Sequence, residues 1–196
     1  MNSQRYFNTR KIATTGILLA TEILLQVLGN YIVIPGGFAS LNFSLIVISL
    51  GAILYGPVIG GFLGLVSGIM TVFAPMTLSY FYSVSPVGTI VTCLLKTTLA
   101  GVVAGLLMML FKKINKKTTG SIVVSILVPT INTGVFAIFC LVFFMERLSE
   151  INPNNIASAL FLGMIGFNYI FEVLTTSIIT PSLFKIMEHV SVHHEE

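Results

Sequence analysis

The sequence predicts an all-α integral membrane protein with six transmembrane helices and both termini in the cytoplasm. Of the 196 residues, 55% are hydrophobic and 9% are charged, whereas a soluble domain carries roughly 25% charged residues. The mean hydropathy is +0.98, and the apolar residues fall in stretches that suit the length of a membrane span. We expect residues 1–196 to form a single transmembrane domain, with no room for an ATPase or another soluble catalytic domain.

The first predicted span, Ile12–Leu28, follows a short basic segment. Glu22 and Gln26 interrupt its apolar run, and no small-residue cleavage site follows directly, so we interpret it as a retained helix and not as a signal peptide. One face of the span carries the small residues Ala13, Gly16 and Ala20. Small residues at this spacing let another helix backbone approach closely.

The second span, Asn42–Tyr55, has about 14 residues, fewer than the usual ~17–25, so we expect either shielding by protein or a locally thin membrane. Gly56-Pro57 then makes a turn into a third span that reaches Phe73. Glycines recur every four residues along this span and predict close packing against another helix. These glycines are Gly56, Gly60, Gly64 and Gly68.

The fourth span, Pro86–Phe111, ends before the basic run Lys112-Lys113-Ile-Asn-Lys116-Lys117. The fifth runs from about Ser121 to Met145, and the sixth from about Ile156 to Ile179. Three loops join the spans on the outer side. The predicted outer loops are the apolar segments Asn30–Leu41 and Ala74–Ser85, which we expect to act as covers, and the polar segment Glu146–Asn155.

The charges indicate the orientation. With the N-terminus inside, eight of the ten Lys and Arg residues lie on the cytoplasmic side, as the positive-inside rule requires. Arg147 lies outside, and Lys96 lies within the membrane. The basic clusters therefore indicate topology and not nucleic-acid binding. The eight cytoplasmic residues are Arg5, Arg10, Lys11, Lys112, Lys113, Lys116, Lys117 and Lys185.

Lys96 is the most informative residue, because a lysine at the middle of a span costs about 2.5–3.5 kcal/mol on insertion scales. At ~1.5 Å per residue it lies roughly 15 Å below the outer start of its helix, and Glu22, Asn132 and Asn168 fall at a similar depth. Glu172 lies one turn beyond Asn168 on the same face. We predict that these five side chains converge on a small-molecule pocket.

Other interpretations of the same residues stay open. Lys96 could extend to the outer interface if its helix begins nearer Ile90. Glu22 or Glu172 could pair with Lys96, or be protonated and act as structural hydrogen-bonding groups. The two asparagines, Asn132 and Asn168, could tie helices together.

No catalytic arrangement is visible, so we predict no enzyme activity, no metal site and no cofactor. No histidine lies inside a span, and no glycine-rich phosphate loop with its lysine occurs. Cys93 and Cys140 lie in apolar runs and are interpreted as free packing residues. The histidines of the C-terminal tail are interpreted as solvated: His189, His193 and His194.

Six motifs are informative together: Gly16-x-x-x-Ala20, Tyr55-Gly56-Pro57-Val-Ile-Gly60-Gly61, Ser85-Pro86-Val-Gly88-Thr, Gly101-Val-Val-Ala-Gly105, Pro129-Thr-Ile-Asn132-Thr-Gly134 and Asn168-x-x-x-Glu172. With Lys96 and the basic cytoplasmic ends, they resemble the substrate-binding S components of energy-coupling-factor (ECF) vitamin transporters. The resemblance covers roughly residues 10–187.

The resemblance implies a subunit in the plasma membrane of a prokaryotic cell that captures a vitamin or a related micronutrient from outside. It implies partnership with a transmembrane coupling subunit, docked by Ala13, Gly16 and Ala20, and with two cytoplasmic ATPases. Lys96 favours a carboxylate-bearing ligand, and the chain most resembles the pantothenate-type S components. The predicted substrate-binding residues are Lys96, Asn132, Asn168, Glu172, Glu22, Tyr80 and Asn42.

Two other functional classes are conceivable. One is a self-sufficient ion-coupled carrier in which Glu22, Lys96 and Glu172 form a proton relay. The other is an intramembrane enzyme, which the missing histidines and metal ligands disfavour. Uptake by the protein alone, driven by a proton gradient, would identify the carrier, and turnover of a lipid or peptide would identify the enzyme.

Overall fold

The computed structural model describes residues 2–32 and 42–192, and every regular element within these ranges is a helix. This confirms the predicted all-α class for the described part of the chain. Two elements are π-helices, π1 (Thr77–Tyr82) and π2 (Ala159–Ile165). The α-helices are α1 (Asn2–Tyr31), α2 (Ser44–Tyr55), α3 (Pro57–Val72), α4 (Pro86–Lys113), α5 (Lys117–Phe143), α6 (Met145–Ile151), α7 (Ile156–Ser158) and α8 (Gly166–Val192).

Within residues 2–32 and 42–192, four helical stretches are long and apolar enough to cross a membrane: Lys11–Asn30, Pro86–Lys113, Lys117–Phe143 and Ile156–His189. The helices α2 and α3 are apolar but shorter, with 12 and 16 residues. All residues of α2 from Ser44 to Ile53 are buried, because α2 packs against α1, α3, α4, α5 and α8. A helix that is apolar on all sides belongs in such a central position. The expectation that protein shields this short segment is confirmed.

The helices α3 and α4 pack with their backbones in contact along a row of glycines. A Cβ atom added to Gly60 would lie 2.5 Å from the carbonyl oxygen of Gly101, and one added to Gly64 would collide with the Thr97 carbonyl group. Gly68 makes a third approach of the same kind. Any larger residue would force the helices apart. The predicted glycine packing is therefore confirmed for these three positions.

Gly56 lies at the end of that row, where a Cβ atom added to Gly105 of α4 would lie 2.6 Å from the Gly56 carbonyl carbon. Its φ of +85° is a conformation that favours glycine, and no atom lies within 4 Å of a Cβ built on it. The residue ends α2, its backbone N–H donates to the Ala52 carbonyl oxygen at 3.0 Å, and Pro57 begins α3. The sharp turn folds α2 and α3 into a helical hairpin.

One end of the bundle carries Lys112 and Lys117, and we call it the basic end. There the Lys112 ammonium donates to the carbonyl oxygens of Ile53 at 2.7 Å and Leu54 at 3.3 Å. These carbonyls belong to the last turn of α2, which has no helical partners for them. Lys117 of α5 lies 3.8 Å from a Glu188 carboxylate oxygen at the same end.

The opposite end is closed by a cluster of buried apolar side chains from π1, α5, α6 and π2. Phe81 of π1 lies edge-on to Phe136 and Phe144, with ring centroids 5.7 and 5.1 Å away. Edge-on contacts of this kind add to the stabilisation from burial. The buried members of the cluster are Phe81, Cys140, Phe144, Leu148, Ala159, Leu160, Met164 and Ile165.

Two segments predicted as loops contain helices. Ala74–Ser85 contains π1, and Glu146–Asn155 contains most of α6. The fifth helix ends at Phe143, because Met145 already belongs to α6. The cause is tertiary: Phe81 and Leu148 are buried in the apolar cluster, and packing stabilises helical turns that are too short to form alone.

Other predictions concern the remaining segments. The first helix extends beyond Ile12–Leu28 at both ends. Of the predicted cover Asn30–Leu41, residues 33–41 lie outside the described part of the chain, as do His193 and His194. Cys93 and Cys140 are free and buried, as predicted.

We expect Gly64→Ala to lower the free energy of unfolding by about 1–3 kcal/mol, because its methyl group would collide with the backbone of α4. Gly134→Ala in α5 is the matched control, since a Cβ atom there meets nothing within 4 Å, and it should be neutral or stabilising by up to about 1 kcal/mol. Thermal unfolding in detergent measures both. Equal unfolding temperatures for the two variants would contradict the close contact.

Candidate functional site

A cavity lies among the helices, next to the apolar cluster that closes the end opposite the basic end. The centres of water molecules can occupy about 80 Å³ of it, which is room for several waters or one small solute. Its wall combines apolar and aromatic side chains with a larger number of polar side chains, among them Lys96, Glu172 and three asparagines. Convergent polar groups of this kind fix the orientation of a small molecule in a site. The aromatic residues in the wall are Phe81, Phe136, Phe144 and Tyr169.

The structure brings five of the seven predicted site residues to this cavity: Asn42, Lys96, Asn132, Asn168 and Glu172. They come from the start of α2 and from α4, α5 and α8, which are distant in sequence. The other two, Glu22 and Tyr80, do not line it. Glu22 lies on α1 one turn before Gln26, and Tyr80 lies next to Phe81, and both of these neighbours do line the cavity.

Lys96 points into the cavity and not toward the outer interface. Its side-chain nitrogen lies 5.3 Å from the centroid of the Phe136 ring, a cation–π distance. No ion pair within 4.0 Å joins Lys96 to Glu22 or Glu172 in the part of the chain that the structure describes. The Lys96 charge acts on the Glu172 carboxylate across the cavity wall, but without a direct contact between them the ammonium is free to meet an anionic group of a bound molecule.

Two acceptors face the same space. The Glu172 carboxylate is buried and accepts a hydrogen bond from the backbone of Asn42. The Asn132 Oδ1 atom is buried without a hydrogen-bond partner among the described residues. An unsatisfied buried acceptor costs about 1–3 kcal/mol, so an N–H or O–H group of a ligand would be stabilised there.

The threonines of α4 supply further acceptors on the wall beside Lys96. The Thr89 hydroxyl donates to the Ser85 carbonyl oxygen at 2.8 Å, and the Thr92 hydroxyl donates to the Gly88 carbonyl oxygen at 2.6 Å. Their hydrogens are thus used within the helix, while each oxygen keeps lone pairs for another donor.

A chain of buried side-chain hydrogen bonds runs from the cavity to α1. Ser44 Oγ lies 2.6 Å from Asn42 Oδ1 and 2.7 Å from Ser67 Oγ, and Ser67 donates to Gln26 Oε1 at 3.0 Å. The Gln26 amide nitrogen donates onward to Thr71 Oγ1 at 3.3 Å. This chain of hydrogen bonds connects α1, α2 and α3 behind the cavity.

Glu22 lies on α1, one turn before Gln26. It is fully buried, and its carboxylate lies near the Ser67 hydroxyl, although neither carboxylate oxygen makes a hydrogen bond of good geometry with a described residue. The helices α2 and α3, which pack on α1, carry no charged residue that could pair with it. The predicted contact between Glu22 and the ligand would therefore have to be indirect.

The small residues of α1 lie on the side of the helix away from its buried face. Ala13, Gly16 and Ala20 are exposed, and nothing lies within 4 Å of a Cβ atom built on Gly16. The buried face of α1 carries Leu18 and Gln26. The small-residue face is thus not used in packing within the described chain.

Several wall residues were not predicted from the sequence, although helical spacing could have indicated some of them. Thr92 lies one turn before Lys96, and Phe136 lies one turn after Asn132, on the same helix faces. Phe81 and Met164 come from the two π-helices, which sequence periodicity does not signal. π-Helical turns are frequent at functional sites.

Residues 10–184 match the family described as "ECF transporter, substrate-specific component". This range contains every cavity residue named above. A search of curated proteins found no match.

We expect Ser67→Ala to lower the free energy of unfolding by about 1–3 kcal/mol, because Gln26 Oε1 and Ser44 Oγ would each lose a buried partner. Ser182→Ala is the control, since Ser182 is exposed and makes a local bond to the Ile178 carbonyl oxygen. Thermal unfolding would measure the stability of both variants. A Ser67→Ala protein as stable as the control would argue against a structural role for this chain of hydrogen bonds.

Proposed function

We propose that this chain, which belongs to the family of substrate-specific components of ECF transporters, binds a carboxylate-bearing micronutrient in the cavity around Lys96. Its family makes it a membrane-embedded substrate-binding subunit for vitamin-type uptake. The ligand chemistry rests on one observation: the Lys96 ammonium lines the cavity with no ion-pair partner among the described residues. A desolvated ammonium is best matched by an anion.

The rest of the wall supports a ligand that also carries hydrogen-bond donors. Asn132 Oδ1 needs a donor, and the Glu172 carboxylate has capacity for more than the single bond from Asn42. A molecule such as pantothenate, with a carboxylate at one end and hydroxyl and amide groups along its length, has this combination. We favour a ligand of that class.

We further propose six membrane spans in a single domain, with both termini in the cytoplasm of a prokaryotic cell. The four long apolar helices together with α2 and α3 make the six. The basic end carries Lys112 and Lys117, which the positive-inside rule assigns to the cytoplasm. The cavity then lies toward the outer side of the membrane, beneath the apolar cluster, on the side from which a nutrient would be captured.

The proposed partners are a transmembrane coupling subunit and two cytoplasmic ATPases. S components of this family work with such partners. Within this chain, the exposed face formed by Ala13, Gly16 and Ala20 is the proposed docking surface, because small residues allow close contact between helix backbones.

The ion-coupled carrier is less well supported. A relay would need Glu22, Lys96 and Glu172 in succession, yet Glu22 does not line the cavity that contains the other two. Proton-driven uptake by the purified protein alone in liposomes would nevertheless favour the carrier over the proposed function.

The test of the proposed function is mass spectrometry of small molecules released from the purified, denatured protein. We expect a compound with a carboxylate and several hydroxyl or N–H groups. A bound compound that is cationic, or that lacks any anionic group, would contradict the role given to Lys96.

With that compound as the titrant, Lys96→Met should weaken binding by about tenfold or more, because a hydrogen bond to a charged group contributes about 1.5–3 kcal/mol. Lys117→Met is the matched control, since Lys117 lies at the basic end in an exposed ion pair, and its affinity should stay at the parental value. Isothermal titration calorimetry measures both. Unchanged affinity for Lys96→Met would remove this residue from the site.

For the docking face, we expect Gly16→Leu to abolish uptake in cells that also produce the coupling subunit and ATPases, while ligand binding by the purified protein stays intact. The reason is that a bulky side chain would hold the partner's helix away. Gly134→Leu, at an exposed glycine of α5, should leave uptake unchanged. Loss of ligand binding in Gly16→Leu would count against separate sites for ligand and partner.

A further inference from the structure

The Arg147 side chain of α6 reaches across to π1, which belongs to a different part of the chain. Its Nε–H donates to the Tyr80 carbonyl oxygen at 3.0 Å, and its Nη2 donates to Ser83 Oγ at 3.0 Å. The guanidinium carbon lies 4.9 Å from the centroid of the Tyr80 ring, a cation–π contact. One side chain thus holds both the backbone and the ring of π1.

Glu150 holds the guanidinium in this position. Arg147 Nη1 donates to both carboxylate oxygens of Glu150, at 2.9 and 2.7 Å. This hydrogen bonding raises the pKa of Arg147, and burial raises the pKa of Tyr80. At neutral pH a permanent cation therefore lies over an uncharged ring.

The same turn of π1 forms part of the cavity wall. Thr77 and Phe81 of π1 line the cavity, and Phe81 packs edge-on against Phe144. Phe144 also lines the cavity and precedes Arg147 by three residues. Arg147 therefore binds the helical turn whose residues close this side of the cavity.

We propose that Arg147 is the latch of the cavity: a positioning residue that keeps π1, with Phe81, over the site. Opening at this end requires the guanidinium to leave Tyr80 and Ser83. Arginine suits this role because its planar fork donates in several fixed directions at once, whereas a lysine presents a single point charge. The inference rests on the proposed function only in taking the cavity as the ligand site.

Cys93 makes the opening measurable without any ligand. It lines the cavity and is buried, and the sequence has two cysteines, so Cys140→Ala leaves one thiol. The protein in lipid nanodiscs is treated with a charged methanethiosulfonate reagent, and modification of Cys93 is followed by mass spectrometry. In this background we expect Arg147→Gln to accelerate modification roughly tenfold or more, through the loss of charge-assisted hydrogen bonds.

Two milder variants keep the test decisive if Arg147→Gln does not fold. Arg147→Lys retains the charge but not the fork, and Ser83→Ala removes one acceptor, so both should give intermediate rates. Lys117→Gln is the control, because it breaks the ion pair with Glu188 at the basic end and should leave the rate at the parental value.

A parental rate of Cys93 modification in the folded Arg147 and Ser83 variants would overturn the latch. Acceleration by Lys117→Gln equal to that of the Arg147 variants would do so as well, since it would indicate general loosening. Either result would leave the assignment of Lys96 to the ligand untouched, because that assignment is tested by affinity and not by access.

Discussion

The close contact between α3 and α4 is the constraint on which the site depends. Glycines let the two backbones touch, so α4 can rotate little about its axis: Thr97 faces Gly64, and the Cys93 carbonyl faces Gly68. Neighbouring residues of a helix lie about 100° apart around its axis. Once Thr97 is packed against α3, Lys96 is turned toward the cavity. A mid-membrane lysine is tolerable only with such an inward orientation.

The protein itself satisfies many of the buried polar groups of this apolar bundle. Most buried hydroxyls are satisfied within their own helix, as for Thr92, or in the chain from Asn42 through Ser67 to Gln26. Around the cavity, by contrast, Lys96 has no ion-pair partner and Asn132 Oδ1 has no hydrogen-bond partner among the described residues. In the described part of the chain, buried polar atoms without a hydrogen-bond partner also occur away from the cavity, in Glu22 and in the hydroxyls of Thr15, Thr98 and Thr180. Those in the cavity wall are the ones that a polar ligand could reach.

The first helix connects this site with the proposed docking face. Gln26 takes part in the buried polar chain behind the cavity, while Gly16 and Ala20 are exposed on the other side of the same helix. A change in the cavity wall that shifts Gln26 would therefore also shift α1, the helix that the coupling subunit is proposed to contact. The central position of α2, buried among five helices, makes a rigid framework for such coupling.

The sequence by itself determined the helical class, the glycine packing on α3 and the inward orientation of the Lys96 charge. Each follows from a local property: the length of the hydrophobic runs, the spacing of the glycines and the cost of a charge within the membrane. Depth along a helix, which follows from residue count, also predicted four of the residues that line the cavity: Lys96, Asn132, Asn168 and Glu172. Only the tertiary structure decided that Glu22 lies outside the cavity wall, that Phe81 and Met164 belong to it, and that Arg147 fastens π1. The physical reason is that the rotation of each helix, and the contacts between short helical turns far apart in sequence, are set by side-chain packing against other elements and not by any local pattern.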